Sequence, residues 1–362
     1  MPPRRRMFHS FSVQNYTTQT PVWQPQSGRE FANNGRICYT YFVFAKFTAC
    51  FSQKGASAMG QPLWLNFTAR PEEAGLTLRD FLRQQGVSAS LIKGVKYRGA
   101  GFLVDGRAVF TDHRMAAGET VRFALPPEEE TTVPPQDLPI ELVYEDVHTA
   151  LVNKPAGMTV HPTLNAADGT LANAWMGLLQ QRGETGVFRP VNRIDRDTSG
   201  LIIAAKNDAA HLALAAQLAD HTLARTYECL AVGNFREDSG TVDAPIGRHP
   251  VDRKRMAVVR QGGREAVTHW EVIARYPGVT HLRCRLETGR THQIRVHLAY
   301  IGHPILGDTV YGAKKPVAGL TGQCLHAVGL RFIHPRTGEP VELTCPLPEE
   351  FVRMLEKLRR NM

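Results

Sequence analysis

The alternation of apolar and polar residues predicts a strand-rich domain from residue 140 to the C-terminus. Short apolar runs of strand length are separated there by three longer stretches with helical spacing. The predicted strands cover 140–144, 149–153, 201–205, 227–232, 268–273 and 281–286, and the predicted helices cover 170–181, 208–219 and 291–301. Because no dinucleotide-type strand–helix–strand repeat appears, the pattern predicts an α+β fold with a mixed or antiparallel sheet.

A smaller folded unit precedes this domain. Its predicted elements are, in order, a strand at 63–67, a helix at 76–82, a second helix capped by Ser88, a hairpin that turns at Asp105-Gly106 and a strand at 117–123. We therefore predict a small α/β domain over 59–126. The stretch 127–139 is rich in Pro and Glu and has no apolar face, which indicates a linker to the domain over 140–362.

Residues 1–58 differ from the rest of the chain. They mix amide and hydroxyl residues with aromatic ones and show no sustained periodicity. The apolar stretch 37–51 is too short to span a bilayer, and the region before it is too long for a signal peptide. Two interpretations stay open. Residues 1–58 are either a disordered tail or a translated leader upstream of a true start at Met59, since Lys54-Gly55-Ala56 can be encoded by a Shine–Dalgarno-like string.

Composition is that of an ordinary globular protein, with 43% hydrophobic and 21% charged residues. The six cysteines are scattered and form no C-x-x-C pair, so a zinc site or disulfide framework is not expected and a reducing cytoplasm suits the chain. The net charge of +9 arises before residue 127, and the remaining chain is balanced. Local basic clusters, rather than overall charge, must therefore indicate a nucleic-acid partner.

One loop concentrates the candidate chemistry. Residues 192–200 read Asn-Arg-Ile-Asp-Arg-Asp-Thr-Ser-Gly and lead directly into an apolar strand. Flanking guanidinium groups allow a partly buried carboxylate to stay ionised, and Arg193 and Arg196 flank Asp195 in this way. Asp195 is therefore a candidate catalytic carboxylate, whereas Asp197 fits a turn.

This loop and four further segments, in the same order, resemble the RluA-like pseudouridine synthases of the large-ribosomal-subunit type. The four are Lys154-Pro-Ala-Gly-Met-Thr-Val-His-Pro162, Ala224-Arg-Thr-Tyr227, Gly247-Arg-His-Pro250 with the string Arg253 to Met256, and Gly289-Arg-Thr-His-Gln-Ile-Arg-Val-His297. Five ordered motifs are hard to obtain by chance. The resemblance implies a catalytic domain with a mixed or antiparallel sheet over 140–362, preceded by an S4-like RNA-binding domain over 59–126.

The resemblance also implies roles for individual residues. Asp195 would be the catalytic carboxylate, Tyr227 would stack on the detached base or remove its C5 proton, and Arg295 would form a salt bridge with Asp195. Isomerising uridine to pseudouridine gains no atoms or electrons, so no cofactor or metal is expected. Three routes stay open for Asp195, namely attack on C6 of the base, attack on C1′ of the sugar, or abstraction of a sugar proton.

Basic residues near these motifs are candidate RNA contacts. The predicted set is Arg193, Lys93, Lys96, Arg98, Lys154, Arg248, Arg253, Lys254, Arg290 and His292. Residues 248–264 carry a net charge of +5, the densest basic cluster of the catalytic half. The bland alternative is that these lysines and arginines are solvated surface charges.

The chain departs from the family pattern at two positions. Asn192 replaces the usual His before the catalytic loop, so that position keeps hydrogen-bonding capacity but cannot titrate near pH 7. Arg225 stands where Lys is frequent. Neither change affects Asp195, Tyr227 or Arg295, and we therefore expect an active enzyme.

Two other functions compete with this prediction. One is a ribosome-associated RNA-binding scaffold without catalysis, and the other is a hydrolase that uses Asp195 and Asp197 as a carboxylate pair. His292 and His297 lack the spacing and third ligand of a zinc site. The expected partner is RNA, with large-subunit rRNA favoured and tRNA also possible. We expect no membrane association and a monomeric protein.

Overall fold

The computed structural model describes residues 64–125, 131–163, 166–252 and 255–362. The predictions for residues 1–58, and for Arg253 and Lys254 as RNA contacts, lie outside the described residues. Within the described ranges, no helix combines the length and apolar character needed to cross a bilayer.

The N-terminal unit is a four-stranded antiparallel sheet with two helices. Its elements are β1 (Trp64–Thr68), α1 (Leu78–Gln84), α2 (Ala89–Arg98), β2 (Phe102–Val104), β3 (Arg107–Val109) and β4 (Thr120–Ala124), with strand order β1-β4-β2-β3. The predicted Ser88 cap is present, because its side chain accepts a hydrogen bond from the Leu91 N–H. The side chain of Thr77 caps α1 in the same way, by accepting from the Asp80 N–H. The small sheet is consistent with the predicted S4-like module.

The second unit contains a ten-stranded sheet flanked by helices. Its elements are β5 (Glu141–Glu145), β6 (Thr149–Lys154), α3 (Leu171–Arg182), β7 (Arg189–Pro190), β8 (Ser199–Ala205), α4 (Asp208–Ala219), β9 (Ala224–Val232), β10 (Ser239–Asp243), β11 (Ile246–Arg248), β12 (Met256–Val258), β13 (Val267–Tyr276), β14 (Val279–Leu286), α5 (Gln293–Tyr300), β15 (Leu325–Ile333), β16 (Pro340–Thr344) and α6 (Glu349–Arg360).

The large sheet has the order β10-β13-β14-β9-β15-β8-β6-β5, and β16 and β7 pair with β15 and β8. Strands β8 and β15 run parallel, and the other pairings described in this sheet are antiparallel. Strands β11 and β12 form a separate hairpin. The sequence-based prediction of an α+β fold with a mixed or antiparallel sheet is therefore confirmed.

Part of the predicted linker packs against the catalytic domain. Residues 131–140 contain no helix or strand. However, the Gln136 N–H donates to the carbonyl of Asn173 at 3.0 Å, and the Asn173 side chain donates to the carbonyl of Pro134 at 2.9 Å. Gly177 permits this approach, since a Cβ there would lie 2.0 Å from the Gln136 carbonyl oxygen. The segment thus follows α3 closely.

Helix α4 connects the small unit to the region of the catalytic loop. Leu212 on α4 is buried in the hydrophobic cluster formed by the N-terminal unit. Ala215 and Leu218 of the same helix line the cleft that contains Asp195. A small apolar contact therefore joins the N-terminal unit to a helix that borders the site.

Candidate active site

The Asp195 loop lies between β7 and β8, at the entrance to a fully buried strand. The backbone N–H of Thr198 donates to the Asp195 carbonyl at 3.1 Å and closes a turn. Gly200 follows with a φ of +110°, and a Cβ at that position would lie 2.3 Å from the carbonyl oxygen of Ala327 on β15. The glycine therefore allows β8 to pair closely with β15 just beyond the loop.

Lys154 holds the Asp195 loop in place through hydrogen bonds to backbone carbonyls. It is fully buried, and its ammonium donates to the carbonyls of Pro155 (2.7 Å), Met158 (2.7 Å) and Arg196 (2.9 Å). Burial lowers the pKa of Lys154 to about 7, and the carboxylates of Asp197 and Asp195 partly oppose this. The predicted contact between Lys154 and RNA is corrected here, because all three donors are directed at backbone carbonyls inside the protein.

Asp195 shares one arginine with a second carboxylate. Nη1 of Arg295 donates to Oδ2 of Asp195 at 2.9 Å, while its Nε and Nη2 donate to the two carboxylate oxygens of Asp308 at 2.6 and 3.0 Å. The Asp195 side chain is 24% exposed, whereas Asp308 is fully buried. Arg295 thus holds the partly exposed carboxylate in place while the buried one holds Arg295.

Electrostatics keep the Arg295–Asp308 pair charged. Burial alone would raise the pKa of Asp308, but the hydrogen bonds and charge of Arg295 hold it below its usual range, assisted by the N–H groups of Val310 and Tyr311. Burial would likewise lower the pKa of Arg295, and the two carboxylates raise it above the usual value. Arg295 is therefore a permanent cation beside Asp195.

His292 and Tyr311 form a second line of polar contacts to Asp195. Nε2 of His292 lies 4.0 Å from Oδ1 of Asp195, and its Nδ1 lies 2.8 Å from the Tyr311 hydroxyl. That hydroxyl accepts a hydrogen bond from the Met256 N–H at 3.0 Å, which ties the β11–β12 hairpin to the site. Burial lowers the pKa of His292, so the imidazole is neutral at pH 7.

Asn192 has a structural position behind the loop. Its side-chain oxygen accepts a hydrogen bond from the Ile203 N–H at 2.8 Å, and its amide donates to the Leu201 carbonyl at 3.4 Å. Both contacts fasten the residue to β8. The departure from the family pattern at this position therefore supplies an orienting group, which needs no titrating side chain.

Tyr227 and Arg225 contribute to the cleft from β9. They lie two residues apart on β9, so both side chains face the same side of the sheet, and both line the cleft. Burial raises the pKa of Tyr227, and the nearby Arg225 charge opposes that rise. The phenol is therefore protonated at neutral pH.

One open cleft of about 830 Å³ is lined by Asn192, Asp195, Arg225, Tyr227, His292 and Arg295. Among the described residues, Asp195 is the one carboxylate in the lining. The lining also includes six arginines, namely Arg193, Arg196, Arg225, Arg264, Arg290 and Arg295. Such a surface attracts a polyanion and places a single carboxylate within it.

The structure brings some predicted residues together and separates others. Asp195, Tyr227, Arg295, Arg193, Arg290 and His292 all line the cleft. Arg248 is exposed at the end of β11, on the hairpin held by Tyr311. Lys93, Lys96 and Arg98 are exposed on α2 of the N-terminal unit, outside the cleft lining.

Asp197 and His297 both lie outside the cleft lining. The Asp197 carboxylate accepts a forked pair of hydrogen bonds from Arg196, and Asp197 does not line the cleft. His297 is fully buried and contacts the hydroxyl of Thr268 and the carbonyl of Ala244, both at 2.9 Å. Asp197 thus acts in the turn and His297 in the core.

Sequence-based reasoning missed Asp308 and Tyr311. Both belong to the string Gly307-Asp-Thr-Val-Tyr-Gly312, which has the composition of a turn. Gly307 has a φ of +82°, and a Cβ there would lie 2.2 Å from the Gly322 carbonyl oxygen. This close packing is visible only in the folded structure, so the local sequence carries no signal that distinguishes Asp308 and Tyr311 from ordinary turn residues.

Comparison with known proteins identifies the class. A family model described as RNA pseudouridylate synthase matches residues 148–300. The "Uncharacterized RNA pseudouridine synthase YlyB" of Bacillus subtilis is 46% identical over 262 residues, which make up 72% of this chain and 86% of that protein. "Ribosomal large subunit pseudouridine synthase D" of Xanthomonas campestris is 43% identical over 273 residues, covering 72% of this chain and 81% of the relative.

A solved structure has the same fold. "Human RNA Pseudouridylate Synthase Domain Containing 4" aligns over 60% of this chain and 92% of its own length, with a TM-score of 0.50 and 24% identity. The fold and the site thus define an isomerase that acts on uridine in RNA. The chain belongs to the RNA pseudouridylate synthase family, in its RluA/RluD branch.

Proposed function

We propose that this enzyme converts specific uridines of large-subunit rRNA to pseudouridine, with Asp195 as the reacting carboxylate. The reaction breaks the N1–C1′ bond, turns the base and forms a C5–C1′ bond, and the proton on C5 is released. The target base must leave its stack to reach the cleft, at a cost of roughly a few kcal/mol.

The geometry of Asp195 is the observation that supports this proposal most strongly. Arg295 engages Oδ2, while Oδ1 lies on the His292 side of a carboxylate that is 24% exposed to the cleft. A carboxylate fixed by one guanidinium and open on its other oxygen is oriented as a nucleophile or base must be. Tyr227 lines the same cleft, where a base can stack on it.

The choice of rRNA rests on the relatives. Several of them, including the Xanthomonas campestris protein, carry the name ribosomal large subunit pseudouridine synthase D. The arginine-rich cleft suits any RNA backbone, so tRNA is the second candidate. We further expect a monomeric enzyme in the cytoplasm.

The N-terminal unit is proposed to hold structured RNA near the cleft. Its helix α2 exposes Lys93, Lys96 and Arg98, which can contact phosphates. We propose boundaries of 59–126 for this S4-like domain, 127–139 for the linker and 140–362 for the catalytic domain. Residues 1–58 are proposed to be dispensable for activity.

Tritium release from RNA labelled with 5-[³H]uridine tests the function. The full chain should release tritium from large-subunit rRNA faster than from tRNA. Asp195→Asn should release none while binding the RNA with unchanged affinity, because the substitution keeps shape but removes the carboxylate. Asp197→Asn, two residues away and outside the cleft lining, is the matched control and should retain release.

The same experiment separates the non-catalytic alternative. Equal binding by wild type and Asp195→Asn, with no tritium released by either from any RNA, would establish an RNA-binding scaffold. The intact ladder of Asp195, Arg295 and Asp308 favours the enzyme, because a scaffold has no need to orient a carboxylate inside a basic cleft.

A further inference from the structure

Arg225 is a buried cation without an anionic partner. The residue is 6% exposed, and no carboxylate of the described residues forms an ion pair with it. Its Nη2 donates long hydrogen bonds to the carbonyls of Glu287 (3.3 Å) and Thr288 (3.2 Å). Its Nε is buried without any acceptor in the described structure. A guanidinium that is buried without acceptors for its N–H groups destabilises the fold, unless a ligand supplies the missing acceptors.

The unfilled side of the guanidinium faces the cleft. Nη1 of Arg225 has no acceptor among the described residues and lies against Gly289, where a Cβ would be 2.5 Å away. Gly289 is exposed on the cleft wall. The glycine therefore makes room for Nη1 at the cleft wall, where a substrate atom can approach it.

The neighbouring residues indicate which substrate atom this is. Arg225 and Tyr227 are adjacent on one face of β9, at a spacing of about 7 Å, so a base that contacts Tyr227 presents its edge to Arg225. The phosphates that flank the target nucleotide can instead contact Arg193 and Arg264, which are exposed in the cleft lining. The position of Arg225 thus favours an oxygen of the uracil ring.

We propose that Arg225 is a catalytic residue that donates to a carbonyl oxygen of the target uracil as negative charge develops there. All three routes open to Asp195 require such a donor. Attack on C6 produces an enolate on the ring. Attack on C1′, or removal of a sugar proton, breaks the N1–C1′ bond so that the electron pair leaves with uracil and spreads over N1, O2 and O4. A preorganised cation stabilises each of these species.

This inference rests on the proposed function, and single-turnover kinetics test it. Tritium release at saturating enzyme gives the rate of chemistry, and filter binding gives the affinity for the same RNA. In Arg225→Met, the rate should fall about tenfold to hundredfold, as expected for losing a hydrogen bond to a charged group, while affinity is unchanged. Arg225→Lys should recover part of the rate.

Two further variants keep the test decisive where Arg225→Met fails to fold. Gly289→Ala retains the cation but places a Cβ against Nη1, so it should slow chemistry without weakening binding. Arg264→Met should do the reverse, since Arg264 is an exposed rim residue suited to a phosphate. Unchanged rates in both Arg225→Met and Gly289→Ala would overturn the inference.

Loss of affinity with an unchanged rate would also overturn it, since that result assigns Arg225 to a phosphate. The proposed function fails separately. An inactive wild type, or an Asp195→Asn variant as active as wild type, would refute it and remove the basis for a role of Arg225. An active wild type with inactive Asp195→Asn and unaffected Arg225 variants would refute the inference alone.

Discussion

At the scale of single residues, Asp308 fixes the orientation of Arg295, and Arg295 in turn holds Asp195. Two of its donors engage the fully buried Asp308, and the remaining one engages the partly exposed Asp195. Removing one partner of a buried ion pair costs about 3–5 kcal/mol, because a charge is left uncompensated. Asp308 is therefore a positioning residue whose loss should affect both stability and catalysis.

We expect Asp308→Asn to lower the melting temperature and slow single-turnover tritium release. The pKa of Asp308 is lowered in the folded protein, so its carboxylate stabilises the fold at neutral pH and this contribution is lost as pH falls through that lowered pKa. The difference in melting temperature between wild type and Asp308→Asn should thus shrink in acid. A difference that grows toward low pH would contradict this account.

Asp208→Asn is the matched control for that measurement. Asp208 also pairs with an arginine, Arg189 at 2.7 Å, but its side chain is 29% exposed. Exposed and partly exposed pairs contribute about 0–1 kcal/mol. The control should change the melting temperature little and leave the rate of tritium release unaltered.

At the scale of elements, the site depends on the close pairing of β8 with β15. Gly200→Ala should destabilise the protein by on the order of 3 kcal/mol, through left-handed backbone strain and a contact of 2.3 Å with the Ala327 carbonyl oxygen. Gly338→Ala is the matched control, since Gly338 has a φ of +75° but open space around it. Denaturant unfolding should show the larger loss for Gly200→Ala, and equal losses would refute the packing argument.

Strand β8 shows what local pattern can reveal. All seven of its residues are buried, and its apolar run predicted the strand from the sequence. Local turn residues likewise predicted the hairpin at Asp105-Gly106. By contrast, β15 was not predicted, because His326, Gly329 and Arg331 interrupt its pattern. Those residues satisfy pairings with β8, β9 and β16 that no local window contains.

At the scale of the whole molecule, the site joins residues far apart in the sequence. Asp195 and Arg295 are 100 positions apart, and the family motifs alone linked them. Asp308 was missed because its local string resembles an ordinary turn, and its partner is reached only when the turn folds back onto α5. Lys154 was misassigned for a related reason, since a lysine near a motif does not reveal its own burial.

The charge of the N-terminal unit gives a prediction at the same scale. The double variant Lys93→Gln/Lys96→Gln should weaken RNA binding without sequence preference and reduce the slope of log affinity against log salt by about 2. A matched variant on α6, Lys357→Gln/Arg359→Gln, removes the same charge from exposed positions outside the cleft lining. Equal effects of both variants would show that the lysines of α2 are solvated surface charges that make no RNA contact.

Nucleoside analysis of the RNA product tests the central claim most directly. Unmodified large-subunit rRNA is incubated with the full chain or with Asp195→Asn, digested to nucleosides, and separated to quantify pseudouridine. The account predicts that wild type forms pseudouridine at the expense of uridine, and that Asp195→Asn forms none while still binding the rRNA. Pseudouridine formed equally by Asp195→Asn, or by neither protein, would contradict it.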